Sequence, residues 1–359
     1  MNNNDPNQPA NGGAGVLRSV YSAGIVGLCL YAVAWVNKRY GGKIAKRFGL
    51  NPSQTDKNFQ NWDRSVNKGT TPKSGAKFLD NVDKIASGIP QVKDFFKGTT
   101  FIEDLAQKAV YLQEDPNTAV DNGLLKKLIS VSLYQQVIYC DDSSSMRRYG
   151  RFDSQKELAQ RIARIGTLIL PEGEGVALRF INQALGGEDN NSNLDLGQIV
   201  QILAPLSHVR NGDTEIGTYL RSKILEPMVY RYLDSKTLKR PLLISVITDG
   251  QPEGELEEKN TFIEAIVECA EKLEAAGYHR ENVKFLVGQI GTATSAKRFL
   301  ENIRDAEEIA DMVYCTSDQL DAELARYKEN EKDLDRWLIE LLFSPIKGED
   351  DEGDGVEEE

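Results

Sequence analysis

From residue 135 onward two hydrophobic rhythms alternate along the chain. Short continuous apolar runs, "QVIYC", "GVALRFIN", "PLLISVIT", "NVKFLVGQI" and "DMVYC", are separated by stretches whose apolar residues recur every three or four positions. Runs without polar alternation mark strands covered on both faces, the habit of parallel sheets. The spacing predicts helices over 194–206, 215–233 and 295–307. Two more carry capping-box starts, Ser154-x-x-Glu157 and Thr261-x-x-Glu264, and Gly277 stands where the second should end. Earlier helical patterns cover 100–113 and 122–133. A last helix opens at Thr316-x-x-Gln319, carries Leu320, Leu324, Tyr327, Leu334, Leu338 and Leu341, and stops at Pro345. Glu331 interrupts its stripe, so we expect it docked on the domain rather than forming a coiled-coil arm. Strand and helix in alternation predict an α/β, doubly wound (Rossmann-like), mostly parallel sheet. In such folds ligands bind at the carboxyl ends of the strands.

The amino-terminal third has a different character. Residues 1–15 are rich in Asn, Gly and Pro and are expected to be disordered. Residues 20–36, "VYSAGIVGLCLYAVAWV", contain no charge, at the lower limit for crossing a bilayer. Lys38, Arg39, Lys43, Lys46 and Arg47 follow, whereas only Arg18 precedes. That bias predicts an apolar helix within 16–40 as a membrane anchor that leaves the main body in the cytosol. A signal peptide cut near Ala32-Val33-Ala34 and a helix packed on the domain are the other readings. The partition is therefore a mainly helical or irregular region over 41–133, the α/β domain over 134–316, the carboxyl-terminal helix over 317–346, and an acidic, disordered tail over 347–359.

Composition narrows the function. The net charge is −12, but the final "EDDEGDGVEEE" holds eight acids and no base, so the remainder stands at −4. A mildly acidic body lacks the basic surface that nucleic-acid binding needs. Cys29, Cys140, Cys269 and Cys315 are scattered without a CxxC pair, which fits a reducing, cytoplasmic setting.

The candidate chemistry lies at strand ends. Asp141-x-Ser143-x-Ser145 follows the first strand, Thr214 precedes the helix at 215–233, and Asp249 follows "PLLISVIT". In a doubly wound sheet these converge on one edge and offer three hydroxyls and two carboxylates. Hard oxygen donors suit Mg²⁺ or Mn²⁺. Every second side chain of Asp141-x-Ser143-x-Ser145 points one way, leaving Asp142 and Ser144 as spacers, with Asp142 at the surface or capping. Gly212 and Gly250 are expected to let the two supporting loops turn tightly. Thr218, four residues on, belongs inside the helix. Asp213 either adds negative charge beside the metal or caps that helix. Arg147, Arg148 and Arg151 either attract an acidic partner or form a solvated face before the next helix.

These residues closely resemble the von Willebrand factor A (vWA) domain and its metal-ion-dependent adhesion site (MIDAS), over about residues 135–315. The motif D-x-S-x-S, a distant Thr and a later Asp maps onto Asp141, Ser143, Ser145, Thr214 and Asp249, with Gly-Asp-Thr where Gly-Gly-Thr is common. More loosely, "SLYQQVIYCDDSSSM" and "ENEKDLDRWLIELLFSPI" look like intracellular fungal proteins carrying this domain. The resemblance implies that serines and threonine usually hold the metal directly and that the aspartates often act through water. A partner protein then completes the coordination with an Asp or Glu. The function expected is metal-dependent protein binding and not catalysis. A phosphoesterase-like, metal-dependent hydrolase is the alternative, but Ser143 stands where its second acid would be needed, and neither His208 nor His279 neighbours a nucleophile. A metal-free scaffold is the remaining reading.

Overall fold

The structure is a computed structural model that describes residues 85–86, 92–114, 120–185 and 191–347. The expectations for 1–15, the 20–36 anchor, most of the region before 92 and the acidic tail beyond 347 lie outside the described residues. Among the described residues no helix is long and apolar enough to cross a membrane.

Five parallel strands form one sheet in the order β2-β1-β3-β4-β5. They are β1 (Gln135–Cys140), β2 (Ala177–Phe180), β3 (Leu242–Thr248), β4 (Val283–Gln289) and β5 (Val313–Cys315). Each coincides with one of the five apolar runs, and the helices between them cover both faces. On one face pack α1 (Phe101–Glu114), α2 (Asn122–Ser132), α3 (Arg151–Thr167) and α4 (Leu196–Leu203). On the other pack α5 (Ile216–Leu220, continuing through Arg221–Tyr230 to Leu233), α6 (Thr261–Ala275) and α7 (Thr294–Arg304). β1 shows how one run serves two layers: Ile138 and Cys140 enter the first core, Val137 and Tyr139 the second. Around Pro227, which has no N–H to donate, the helical path after α5 widens into π geometry.

The predicted carboxyl-terminal helix is two: α8 (Leu320–Tyr327) and α9 (Glu331–Phe343). Asn330 restarts the chain by accepting from the Lys332 amide, so Glu331 opens a helix rather than interrupting one. Glu331 pairs with Arg161 at 2.7 Å and Asp335 pairs with Arg164, while Leu334, Leu338 and Ile339 are fully buried. The pair of helices is docked, as the pattern required.

The two capping boxes expected at Ser154 and Thr261, and the helix start expected at Thr316-x-x-Gln319, do not form. α3 begins at Arg151, one turn before its supposed cap, because Tyr149 and Gly150 both take left-handed backbone (φ 54° and 72°) and turn the chain early. α6 starts on Thr261 itself, whose hydroxyl accepts from the Glu258 amide, and α8 starts beyond Thr316. The boundary at Gly277 does hold. Its φ is 78°, its amide donates to Glu274 and that of Tyr278 donates to Leu273, a Schellman closure.

Close packing of α5 on α6 depends on Gly217, since a β-carbon there would lie 2.4 Å from the Phe262 backbone nitrogen. Gly288 is also crowded, but by the flexible end of Leu320. Gly217→Ala should therefore cost about 2–3 kcal/mol in chemical denaturation, and Gly288→Ala distinctly less. Equal losses would show that the α5–α6 crossing is not the tighter constraint.

Candidate metal centre

The site is assembled by sheet register. β1 pairs with β3 so that Cys140 faces Ile247, and the Asp141 amide donates to the Ile247 carbonyl at 2.9 Å. Asp141 and Asp249 thus emerge side by side where the winding of the sheet reverses, between β1 and β3. Both carboxylates are buried.

Asp141 is held from both sides. One oxygen accepts from the Ser143 amide at 2.9 Å, the other from the Thr248 hydroxyl at 2.7 Å. Gln155 on α3 donates to its carbonyl at 2.7 Å. Burial and then the neighbouring negative Asp249 push the Asp141 carboxyl up to about 6, against the opposing pull of Ser143 and Thr248. From Asp141 the chain turns so that Ser143 Oγ and Ser145 Oγ stand 3.0 Å apart. Ser145 in turn donates to Asp249 Oδ1 at 2.6 Å. The other oxygen of Asp249 accepts from Arg151 Nη1, also at 2.6 Å, with both side chains buried.

Thr214 is brought in by a two-residue bridge. Its amide donates to the Glu253 carbonyl and the Glu253 amide donates back, at 2.8 and 3.1 Å. Its hydroxyl and that of Ser145 face the same small space over Gly250, where a β-carbon would sit 3.8 and 4.0 Å from them. Thr218 is spent elsewhere, its hydroxyl donating to the Leu256 carbonyl. Ser145, Thr214, Asp249 and Arg151 line a cleft of about 270 Å³, together with the exposed Arg147, Arg148 and Glu253, whereas Asp141 and Ser143 are not in its lining.

Several expectations need revision. Asp142 is not a surface residue: it is buried and accepts from the Asn182 amide, the Asn182 side chain and the Gln183 amide at 2.8, 3.0 and 2.9 Å, fastening the loop after β2. Ser144 also lines the cleft and is no mere spacer. Asp213 does not cap α5. Glu257 does so from a distance, accepting from the Gly217 and Thr218 amides. Gly212 and Gly250 have no left-handed backbone. Gly212 is required because Asn182 leaves no room for a β-carbon, and Gly250 leaves space between two hydroxyls. Arg151 is not on a solvated face but is only 7% exposed, against Asp249. Sequence reasoning missed Thr248, Gln155 and Glu253. Only Thr248, adjacent to Asp249, carried a local signal.

The residues present fit a hard divalent cation. Adjacent oxygens of a Mg²⁺ octahedron are separated by about 3.0 Å, the spacing of the two serine oxygens. Two buried carboxylates repelling each other are relieved by positive charge. Among the described residues no three His, Cys, Asp or Glu side chains cluster, so the donor set is hydroxyl-rich, with two carboxylates. No protein-family model, no curated protein and no solved structure matches this chain.

The raised Asp141 carboxyl has a consequence for the metal-free protein. A carboxylate whose native pKa rises from 3.8 to about 6 takes up its proton in the folded state first, so stability falls as pH climbs through that window. In chelator, Asp141→Asn should be more stable than wild type at pH 7.5 by about 1–3 kcal/mol, the gap closing below pH 5. The Thr248 hydroxyl can turn to accept from the new amide and donate toward Gly250. A gap in thermal melts that widens on acidification would contradict this assignment.

Proposed function

We propose that the domain is a von Willebrand factor A-type module that binds Mg²⁺ (or Mn²⁺) at the carboxyl edge of β1 and β3 and uses it to capture an Asp or Glu of a partner protein. The observation that carries this reading is the convergence of Ser145, Thr214 and Asp249 on one solvent-open cleft, with Ser143 Oγ 3.0 Å from Ser145 Oγ and Asp141 buried beside Asp249.

Ser143, Ser145 and Thr214 would hold the ion, with Asp249 and Asp141 accepting hydrogen bonds from its ligands. The ion supplies a point of unneutralised positive charge. Charge counting supports its use: two carboxylates less one guanidinium leave a single negative charge against a divalent cation. The residual charge favours an anionic ligand over water. At the rim Arg147 and Arg148 add to that preference and the exposed Glu253 opposes it. The uncharged 20–36 segment with its basic flank would tether the domain to a membrane, facing the cytosol.

Calorimetric titration with Mg²⁺ should give saturable binding that Asp141→Ala removes. No heat, or heat unchanged in the variant, sinks the metal reading. A partner retained on the wild-type protein should be released by EDTA and lost on Thr214→Ala. For the tether, full-length protein should float with liposomes and a chain lacking residues 16–40 should not.

A further inference from the structure

Arg151 has more donors than its one neighbour uses. It is 7% exposed, and among the described residues its side chain makes one hydrogen bond, from Nη1 to Asp249. Its buried Nε has no partner. The guanidinium is seated deliberately: the Tyr149 ring lies 5.6 Å from its central carbon, and bare Gly291 (φ 72°) passes so close that a β-carbon would be 2.5 Å from Nε. This fixed group lines the same cleft as Ser145 and Thr214. A guanidinium is planar and always charged, and it suits an anion with two coplanar oxygens. A salt bridge to Asp249 alone would need no place at the cleft wall.

We propose that Arg151 is the second anchor of the captured acid: the ligand carboxylate gives one oxygen to the metal and the other to the Arg151 guanidinium. This rests on the metal-binding reading above. It makes Arg151 a specificity-determining residue, selecting a carboxylate over neutral oxygen ligands such as amides and hydroxyls. Tyr149, 90% exposed beside it, would lie under the backbone of the bound segment.

Anchor and mere positioning device predict opposite signs. Arg151→Gln removes a cation beside Asp249, so Mg²⁺ should bind the variant at least as tightly as wild type, by calorimetry. A capped tripeptide with a single glutamate, titrated in saturating Mg²⁺ and followed by NMR shifts, should lose about tenfold in affinity. Parallel loss of Mg²⁺ and tripeptide would mean that Arg151 only positions Asp249, and undiminished tripeptide binding would remove the anchor outright. Should Arg151→Gln fail to fold, Arg151→Lys keeps the charge against Asp249 but not the planar fork. It should still weaken the tripeptide several-fold, and unchanged affinity overturns the proposal. If wild type takes no Mg²⁺ the metal reading fails by itself, and tripeptide titration without metal then decides for or against Arg151. Inorganic phosphate binding more tightly than the tripeptide, with the same dependence on Arg151, would overturn the carboxylate assignment in favour of a phosphoryl ligand.

Discussion

Two negative charges buried side by side, Asp141 after β1 and Asp249 after β3, are the constraint around which this edge of the molecule is arranged. Isolated, such a pair is among the costliest features a core can carry. Every neighbour answers it. Thr248 and the Ser143 amide donate to one carboxylate, Ser145 and Arg151 to the other. Even so, Asp141 remains pushed up to about 6. A fold needing only a quiet loop at this point would place neutral side chains here. Retaining both acids beside a solvent-open cleft is explicable if a further cation shares the site.

The loops that carry the oxygens are fixed by side chains reaching backbone amides, not by regular structure. Asp142 fastens the segment after β2, Glu257 caps α5, and Glu215 accepts from the Leu256 amide. The paired Thr214–Glu253 bridge then ties the α5 loop to the β3 loop. Because these acceptors are charged, each bond is stronger than a neutral one and the loops behave as a frame. Preorganisation of this kind lowers the entropy lost when a ligand arrives.

Much of this was legible in the sequence, and the reasons differ by level. Five continuous apolar runs located five strands, because full burial on two faces leaves no polar alternation to confuse the pattern. The convergence of Asp141 and Asp249 followed from topology, since a parallel sheet sends all strand ends one way, and Thr214 joins them through its bridge to Glu253. Helix starts were poorly legible. A Ser-x-x-Glu pattern favours a start but does not fix it, and two left-handed residues at Tyr149 and Gly150 moved α3 back by a turn. That displacement hid Arg151, which sits opposite Asp249 only because the helix begins there. Asp142 was misjudged for a related reason. Its partners at 182 and 183 are forty residues away, and only the fold supplies them. Thr248 stood next to Asp249 in the sequence, but its role as a donor to Asp141 follows only from the pairing of β1 with β3.

Hydroxyl-rich donor sets differ in kind from carboxylate cages. A cage of three or four acids neutralises a divalent ion and leaves it little appetite for a further anion. Here Arg151 cancels one of the two buried acids, so the buried side chains contribute a single negative charge. Hydroxyls satisfy geometry without satisfying charge, and the deficit is directed outward, to the open side of the cleft. If the site holds the proposed ion, the arrangement would trade affinity for it against affinity for an acid that completes it. Under the proposed function the buried arginine would be no ornament of the salt bridge: it would set how strongly metal and ligand depend on each other, repelling the first and attracting the second.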